Sequence, residues 1–526
     1  MKVLVSDKLG QAGIDIFKNQ EGLEVDVKTG LTPDELKEII GSYHGLAIRS
    51  ATKVTKEILD AADNLKVIGR AGIGLDNVDI PEATRRGIAV MNTPRGNTVT
   101  TAEHAVAMMM SLTRNIPRGT ATLKLNQWAK KELQGRELYN KTLGVIGFGN
   151  IGSIVANRAQ GLKMEVIVYD PNFTAENIEK AGYESVTLEE LYKRSDYITI
   201  HVPKLDSTTN LFNKSSFDMM KDGVMIINCA RGGIINESDL YDAIVSKKVA
   251  GAALDVFETE PPKDNPLLTL DQVIATPHLG ASTREAQTNV AVAVANQINA
   301  YLINNTIINA VNVPSVTGDL LKKLRPFLYL SEKMGLMQSQ LTKGPITEIA
   351  IEYAGDFKDL DLTAVTIAAV KGVLTPFVKY EVNTVNAAAL ANQMGIKVSE
   401  STSQDSENYI NLIRITVTSK EETNLVAGTI FGKDDARIVR INKFRLEVIP
   451  KGHLGLIHNI DKPGSIGNIG DCLGKYNINI ERMMVGREGD GDRNIIFLRT
   501  DIPVSDAVAK EISDLDLVNS MITFEL

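Results

Sequence analysis

The chain has 526 residues, 43% hydrophobic and 23% charged, with a formal net charge of −8. This length suits several soluble domains, and an acidic balance without clustered Lys and Arg argues against nucleic acid as a partner, because phosphate contacts need such clusters. Two cysteines cannot build a disulfide framework, the six histidines show no metal-ligand spacing, and no apolar run is long enough to span a bilayer, so a reducing, cytoplasmic setting with no metal and no membrane contact is expected.

Residues 1–95 alternate short apolar runs with helical patterns. The runs at 3–5, 23–27, 46–48, 67–68 and 88–90 read as strands. Thr32 before Pro33, Asp34 and Glu35 marks a capped helix start. This alternation predicts a parallel sheet with helices on both faces. No glycine-rich turn follows the first strand, so the main cofactor site is expected further along. Residues 98–115 form an Ala- and Met-rich helical stretch, suited to burial within the chain or against a second copy.

The run 143–146 leads directly into Gly-Phe-Gly-Asn-Ile-Gly at 147–152. Ile151, Ile154, Val155 and Ala159 then fall at helical spacing, with Gly161 placed as a C-cap. A second strand, 165–169, ends in Asp170. Strand, glycine turn, helix, strand and acid make up a dinucleotide-binding unit. Gly147 permits the tight turn, Gly149 lets backbone approach a pyrophosphate, and Gly152 lets the helix lie close to the strand. The helix start at Asn150 and Ile151 offers free N–H groups and a positive dipole end to phosphates. Asp170 can accept from both ribose hydroxyls and would repel a 2′-phosphate, which favours NAD over NADP.

Later strands are expected at 197–201, 224–228, 251–254 and 273–275, and residues 283–302 form a helix able to pack back on the first lobe. The cofactor unit is then an insertion, and a cleft for a small-molecule substrate lies between the lobes. Hydride transfer from an alcohol needs a base for the hydroxyl proton and a cation for the substrate's anionic group. Arg231 follows the 224–228 strand and could grip a carboxylate through its planar fork. Glu260 and His278 follow the next two strands and could form an acid–base pair. All three stand at strand ends, where such sheets bind ligands.

Residues 312–318 read as a linker, and 319–449 mix strands, helices and polar loops without a recognisable chemical motif. From about 455 the order β-α-β-β-α-β predicts a small ferredoxin-like module, with strands at 456–458, 478–485 and 494–499, a turn at 461–464 and a helix at 466–476.

The 147–152 turn with Tyr169-Asp170-Pro171, Asn228-Cys-Ala-Arg231-Gly-Gly, Leu254-Asp-Val-Phe-Glu-Thr-Glu260-Pro-Pro and Thr276-Pro-His278-Leu-Gly280 together resemble the D-2-hydroxyacid dehydrogenase family over roughly residues 1–313. The segments beginning at Arg49, Arg70 and Asn92 resemble the branch of it that acts on 3-phosphoglycerate. Asn459-Ile-Asp461-Lys-Pro-Gly464 with Tyr476-Asn-Ile-Asn479-Ile480 is similar to an ACT domain, and the residues before it resemble the extra domain of that branch's long form.

The resemblance implies two doubly wound parallel-sheet α/β domains, an α+β intervening domain and a ferredoxin-like ACT domain. Their bounds are 1–97 with 282–313 for the substrate lobe, 98–281 for the Rossmann domain, 318–449, and 452–526. It implies NAD-dependent oxidation of 3-phosphoglycerate at the head of serine synthesis. His278 is then the base, Glu260 its partner, and Arg231 the anchor of the carboxylate and reacting oxygen. Arg49 with Ser50 holds the phosphate, and Ile73, Gly74 and Asn97 complete the substrate site. Cys229, Asp255, His278 and Gly280 join the glycine turn around the cofactor, although Asp255 also suits a buried structural role. Lys130 and Lys131 stand near Trp128, where some members take a basic residue from the partner subunit. A homodimer or homotetramer is expected. Asn459, Asp461 and Asn479 match positions that hold L-serine in regulated members, and a purely structural module remains open beside that reading. The rivals are a reductase of glyoxylate or hydroxypyruvate and a redox-inert NAD sensor.

Overall fold

Apolar runs too uniform to leave one face wet become the central strands of two parallel sheets. The computed structural model describes residues 1–314, 318–358, 360–379, 381–487 and 493–526, which contain four sheets. The first holds β1 (Lys2–Val5), β2 (Glu24–Val27), β3 (Gly45–Ile48), β4 (Val67–Arg70) and β5 (Ala89–Met91), all parallel, in the order β2-β1-β3-β4-β5. The capped start expected at Thr32 is present, and Thr32 and Glu35 close it as a reciprocal capping box ahead of Pro33–Ile39.

The second sheet holds β6 (Thr142–Ile146), β7 (Glu165–Tyr169), β8 (Glu184–Ser185), β9 (Tyr197–Ile200), β10 (Val224–Asn228), β11 (Val249–Leu254) and β12 (Val273–Ala275). Its order, β12-β11-β10-β9-β6-β7-β8, reverses direction around β6, so a crevice opens where β6 ends. The helix Thr98–Thr113 packs on the helix Asn150–Gly161 of this sheet, with Ala102, Ala105 and Met109 buried. The helix Arg284–Asn304 returns to the first lobe. Its Val294 and Ile298 lie so close to β4 that a Cβ on Gly69 would stand 2.6 Å from a Val294 methyl. One expectation is corrected. Gly161 is the last helical residue rather than the cap; the chain caps at Leu162, and Lys163 takes the left-handed φ of +61°.

The third sheet holds β13 (Ile346–Gly355), β14 (Lys397–Ser403), β15 (Asn411–Ser419), β16 (Thr423–Phe431), β17 (Asp435–Ile441) and β18 (Phe444–Val448). Its order is β14-β13-β15-β16-β17-β18, antiparallel except for β13 with β14. The helices Gly318–Leu341 and Thr363–Leu374 supply Met334, Met337, Val370 and Val373 to its core. A loop of this domain grips the first lobe. Asn383 Nδ2 donates to the Gly87 carbonyl at 2.8 Å, and Val385 is buried in that lobe's core.

The last sheet holds β19 (His453–Ile460), β20 (Ile480–Arg487), β21 (Arg493–Thr500) and β22 (Val518–Glu525), in the order β20-β21-β19-β22, all antiparallel. With the helices Ser465–Lys475 and Asp506–Ser513 it forms the expected β-α-β-β-α-β module. Among the described residues, no helix is long and apolar enough to cross a membrane. None of the acidic, His and Cys groups among them is arranged to hold a metal ion.

Candidate active site

The glycine turn after β6 has the shape its spacing demands. Gly147 has φ +93°, and a Cβ there would stand 2.7 Å from the His201 carbonyl oxygen. A Cβ on Gly152 would collide with the Gly147 carbonyl oxygen, so helix and strand meet as closely as backbone allows. A Cβ on Gly149 would meet nothing within 4 Å. The turn therefore presents bare backbone and a helix N-terminus, with Asn150 and Ile151 in the first turn, to open space. That is the cradle a dinucleotide pyrophosphate requires. Asp170 receives the Phe148 N–H at 2.7 Å and the Asn172 N–H at 2.8 Å. These bonds hold it beside the turn, and a carboxylate so held still has lone pairs for two ribose hydroxyls.

The turns after β11 and β12 bring Glu260 and His278 together. His278 Nδ1 lies 2.7 Å from Glu260 Oε2, and Glu260 Oε1 receives the Phe257 N–H at 3.2 Å. The Glu260 hydrogen bond raises the His278 pKa, with burial opposing it. Burial works against the Glu260 charge too, but the bonds from His278 and Phe257 prevail and lower its pKa. With Nδ1 turned to a carboxylate, a neutral His278 carries its proton there and keeps Nε2 as the basic atom. The side chain is half exposed, so a substrate can reach it.

Arg231 crosses from the second sheet to the first lobe. Its Nε donates to Asp76 Oδ2 at 3.0 Å and its Nη1 to the Ala230 carbonyl at 2.7 Å, and it lies so close to Gly74 that a Cβ there would strike Nη2. Asn92 Nδ2 donates to the Ile73 carbonyl at 2.6 Å and steadies that loop. The backbone N–H of Arg49 donates to Asp7 Oδ2 at 2.6 Å and its Nη1 to the Lys8 carbonyl at 3.2 Å, while Ser50 is exposed beside it. Asn97 begins the helix Thr98–Thr113 without capping it by a side-chain bond, and its buried Oδ1 has no partner.

Arg70, the last residue of β4, lies near Arg231, Arg49 and Asp76. Its Nε is buried without a hydrogen-bond partner. Burial, then the nearby Arg231 charge, push its pKa down to about 10, with Arg49, Asp7 and Asp76 also acting on it. Three guanidinium groups thus gather at the cleft, an arrangement that favours a multiply charged anion. An Arg closing an otherwise apolar strand was the available signal.

Asp255 fits the structural alternative. It is fully buried and accepts from the Thr276 hydroxyl at 2.5 Å, the Leu279 N–H at 2.7 Å and the Gly280 N–H at 2.8 Å. Burial opposes its charge, yet these donors and His104 keep its pKa low. Cys229 is buried, and burial pushes its thiol pKa well up.

A single chain does not bring the three ACT positions together. Asn459 is 1% exposed and gives its Nδ2 to Ser465 Oγ. It pairs with Asn494, at the end of the sheet where Asp461 follows β19. Asn479 precedes Ile480, which pairs with Thr500 opposite His453, at the other end. Strand rise of about 3.3 Å per residue puts the two ends on the order of 20 Å apart. Trp128 is 81% exposed, Leu125, Leu123 and Ile116 are exposed with it, and Lys130 and Lys131 follow.

Residues 106–280 match the D-isomer specific 2-hydroxyacid dehydrogenase NAD binding domain, 323–442 the D-3-phosphoglycerate dehydrogenase intervening domain, and 456–517 the ACT domain. The chain is 43% identical over 519 residues to a D-3-phosphoglycerate dehydrogenase of Archaeoglobus fulgidus, covering 98% of each. It is 41% identical to one of Bacillus subtilis, again over 98% of each. Among solved structures, it resembles an NAD-dependent formate dehydrogenase of Staphylococcus aureus in complex with NAD at a TM-score of 0.55 and 29% identity, over 60% of this chain and all of that one. A D-lactate dehydrogenase of Aquifex aeolicus complexed with NAD and lactic acid gives 0.53 and 28%, with the same coverage.

Proposed function

The chain belongs to the D-3-phosphoglycerate dehydrogenase family, NAD-dependent oxidoreductases, and from that premise we propose how its own residues divide the work. The reaction is oxidation of 3-phospho-D-glycerate to 3-phosphohydroxypyruvate, the step that opens L-serine synthesis. NAD, when bound, supplies the hydride acceptor. His278 Nε2 takes the hydroxyl proton. Glu260 holds the ring and stabilises the imidazolium that results. Arg231 grips the carboxylate and the reacting oxygen. Arg49 with Ser50, joined by Arg70, holds the phosphate, and Ile73, Gly74 and Asn97 line the remainder. The observation that carries this reading is the 2.7 Å His278–Glu260 bond beside an arginine that spans the cleft.

Two measurements test the division. Arg49→Ala is expected to raise KM for 3-phosphoglycerate by about 10–100-fold, since a hydrogen bond to a charged group is worth about 1.5–3 kcal/mol. KM for unphosphorylated D-glycerate should change little, and equal effects on both would remove Arg49 from the phosphate site. Asp170→Ala is expected to narrow the preference for NAD over NADP, because it removes the ribose acceptor and the charge that repels a 2′-phosphate. An unchanged kcat/KM ratio for the two cofactors would point to another ribose contact.

The exposed apolar side chains of Ile116, Leu123, Leu125 and Trp128 support a homodimer or homotetramer. L-Serine is the effector we assign to the ACT module. With Asp461 and Asn479 at opposite ends of the sheet, its site takes one from each of two chains. Two buried free cysteines suit a reducing cytoplasm.

A further inference from the structure

The base of this reaction sits in a backbone conformation that a histidine rarely adopts. His278 has φ +54°, in the left-handed region, which costs a residue with a Cβ about 1 kcal/mol or more unless its surroundings hold it there. Those surroundings are one carboxylate and its attachments. The Asp255 carbonyl receives the His278 N–H at 3.0 Å. The Asp255 carboxylate receives the next two N–H groups, those of Leu279 and Gly280. Thr101 Oγ1 donates to the Gly280 carbonyl at 2.9 Å and closes the turn from the other side.

A second imidazole meets this clamp from behind. His104, on the helix Thr98–Thr113, places its Nε2 3.2 Å from Asp255 Oδ1 and 3.1 Å from Thr276 Oγ1. Its side chain is 19% exposed, and Asp255 is fully buried. A buried carboxylate is stable only when donors on every side compensate it. Among the described residues, Thr276, Leu279 and Gly280 supply three donors from the 276–280 turn, and His104 faces the same carboxylate from the helix Thr98–Thr113, a donor to it when Nε2 carries the proton. The helix carrying Asn97 at the substrate cleft is therefore tied to the loop carrying the base.

We propose that His104 is a positioning residue of the reaction: through Asp255 it holds the 276–280 turn in the left-handed form that sets His278 against Glu260. The proposal rests on His278 being the base. The charged groups acting on His278 are Glu260, Asp255 and Arg231, of which the Glu260 bond has the largest effect and raises its pKa. If the clamp slackens, that bond lengthens and the pKa falls back.

The test compares His104→Leu, His104→Gln and Thr276→Val with the unaltered enzyme, using 3-phosphoglycerate and NAD over a range of pH. His104→Leu is expected to lose about 10–100-fold in kcat, the scale of a displaced catalytic group. The acid limb of kcat/KM should move down toward the ordinary imidazole value of about 6.5. His104→Gln, which keeps a donor at the reach of Nε2, should restore most of both. Thr276→Val should move the limb in the same direction, and it carries the test if His104→Leu does not fold. General loss of structure lowers kcat without moving the limb. An unmoved limb in both His104→Leu and Thr276→Val therefore overturns the proposal, whatever happens to kcat. Retained kcat in His278→Ala would instead overturn the assignment of the base and leave the geometry of the clamp intact.

Discussion

His278→Ala is expected to lower kcat for 3-phosphoglycerate oxidation by about 10²–10⁴-fold, the usual contribution of a positioned general base, and to leave NAD affinity close to normal. The 147–152 turn and Asp170, to which we assign most of the cofactor's contacts, keep their geometry without the imidazole. The pH dependence has a definite sign. Only neutral His278 can accept the hydroxyl proton, and Glu260 raises its pKa, so oxidation gains rate as pH rises through that raised value. Glu260→Gln removes the charge that favours the imidazolium. The acid limb should then move to lower pH while kcat falls, because the transition state loses the same stabilisation. Steady-state rates across pH, with NAD binding followed separately, check both statements. A His278→Ala enzyme with unaltered kcat would require another base.

Arg231→Ala should produce the other large loss. The guanidinium touches both lobes at once, through Asp76 and the Gly74 backbone on one side and the Ala230 turn on the other. Removing one partner of a desolvated charge pair costs about 2–5 kcal/mol, or about 30- to several thousand-fold in kcat/KM; the partial exposure of Arg231 favours the lower part of that range. Arg231→Lys should recover only part, because an ammonium offers a point charge where carboxylate and reacting oxygen need a planar fork. Both substitutions should penalise phosphorylated and unphosphorylated 2-hydroxyacids alike. A penalty confined to phosphorylated substrates would make Arg231 a phosphate ligand.

What could be read from the sequence divides along physical lines. β7, β10 and β12 have the expected bounds: β10 is buried throughout and reads as a continuous apolar run, and the apolar runs of β7 and β12 end at Asp170 and Thr276. The glycine turn was legible because backbone crowding at Gly147 and Gly152 admits no other residue. The left-handed residue at Lys163 was not, since a lysine does not advertise that conformation as a glycine or an asparagine does. The 319–449 domain stayed opaque for another reason: β13 pairs with β14 and β15, which follow it by many residues, and pairing of that kind leaves no local pattern. His104 lies inside an ordinary helix and Arg70 shows only as a charge closing an apolar strand, so neither stands out by itself. Their meaning comes from groups brought to them by folding, Arg231 and Asp76 in one case and Asp255 in the other. The separation of Asp461 from Asn479 depends on strand direction in the last sheet and could be seen only once the register was known.

The protein is mixed with 3-phosphoglycerate and NAD at alkaline pH, where proton release favours oxidation, and NADH absorbance is followed with and without L-serine. Steady formation of NADH from 3-phosphoglycerate, slowed by added serine, is the expected result. No NADH from 3-phosphoglycerate, together with rapid NADH consumption on glyoxylate or hydroxypyruvate, would contradict it.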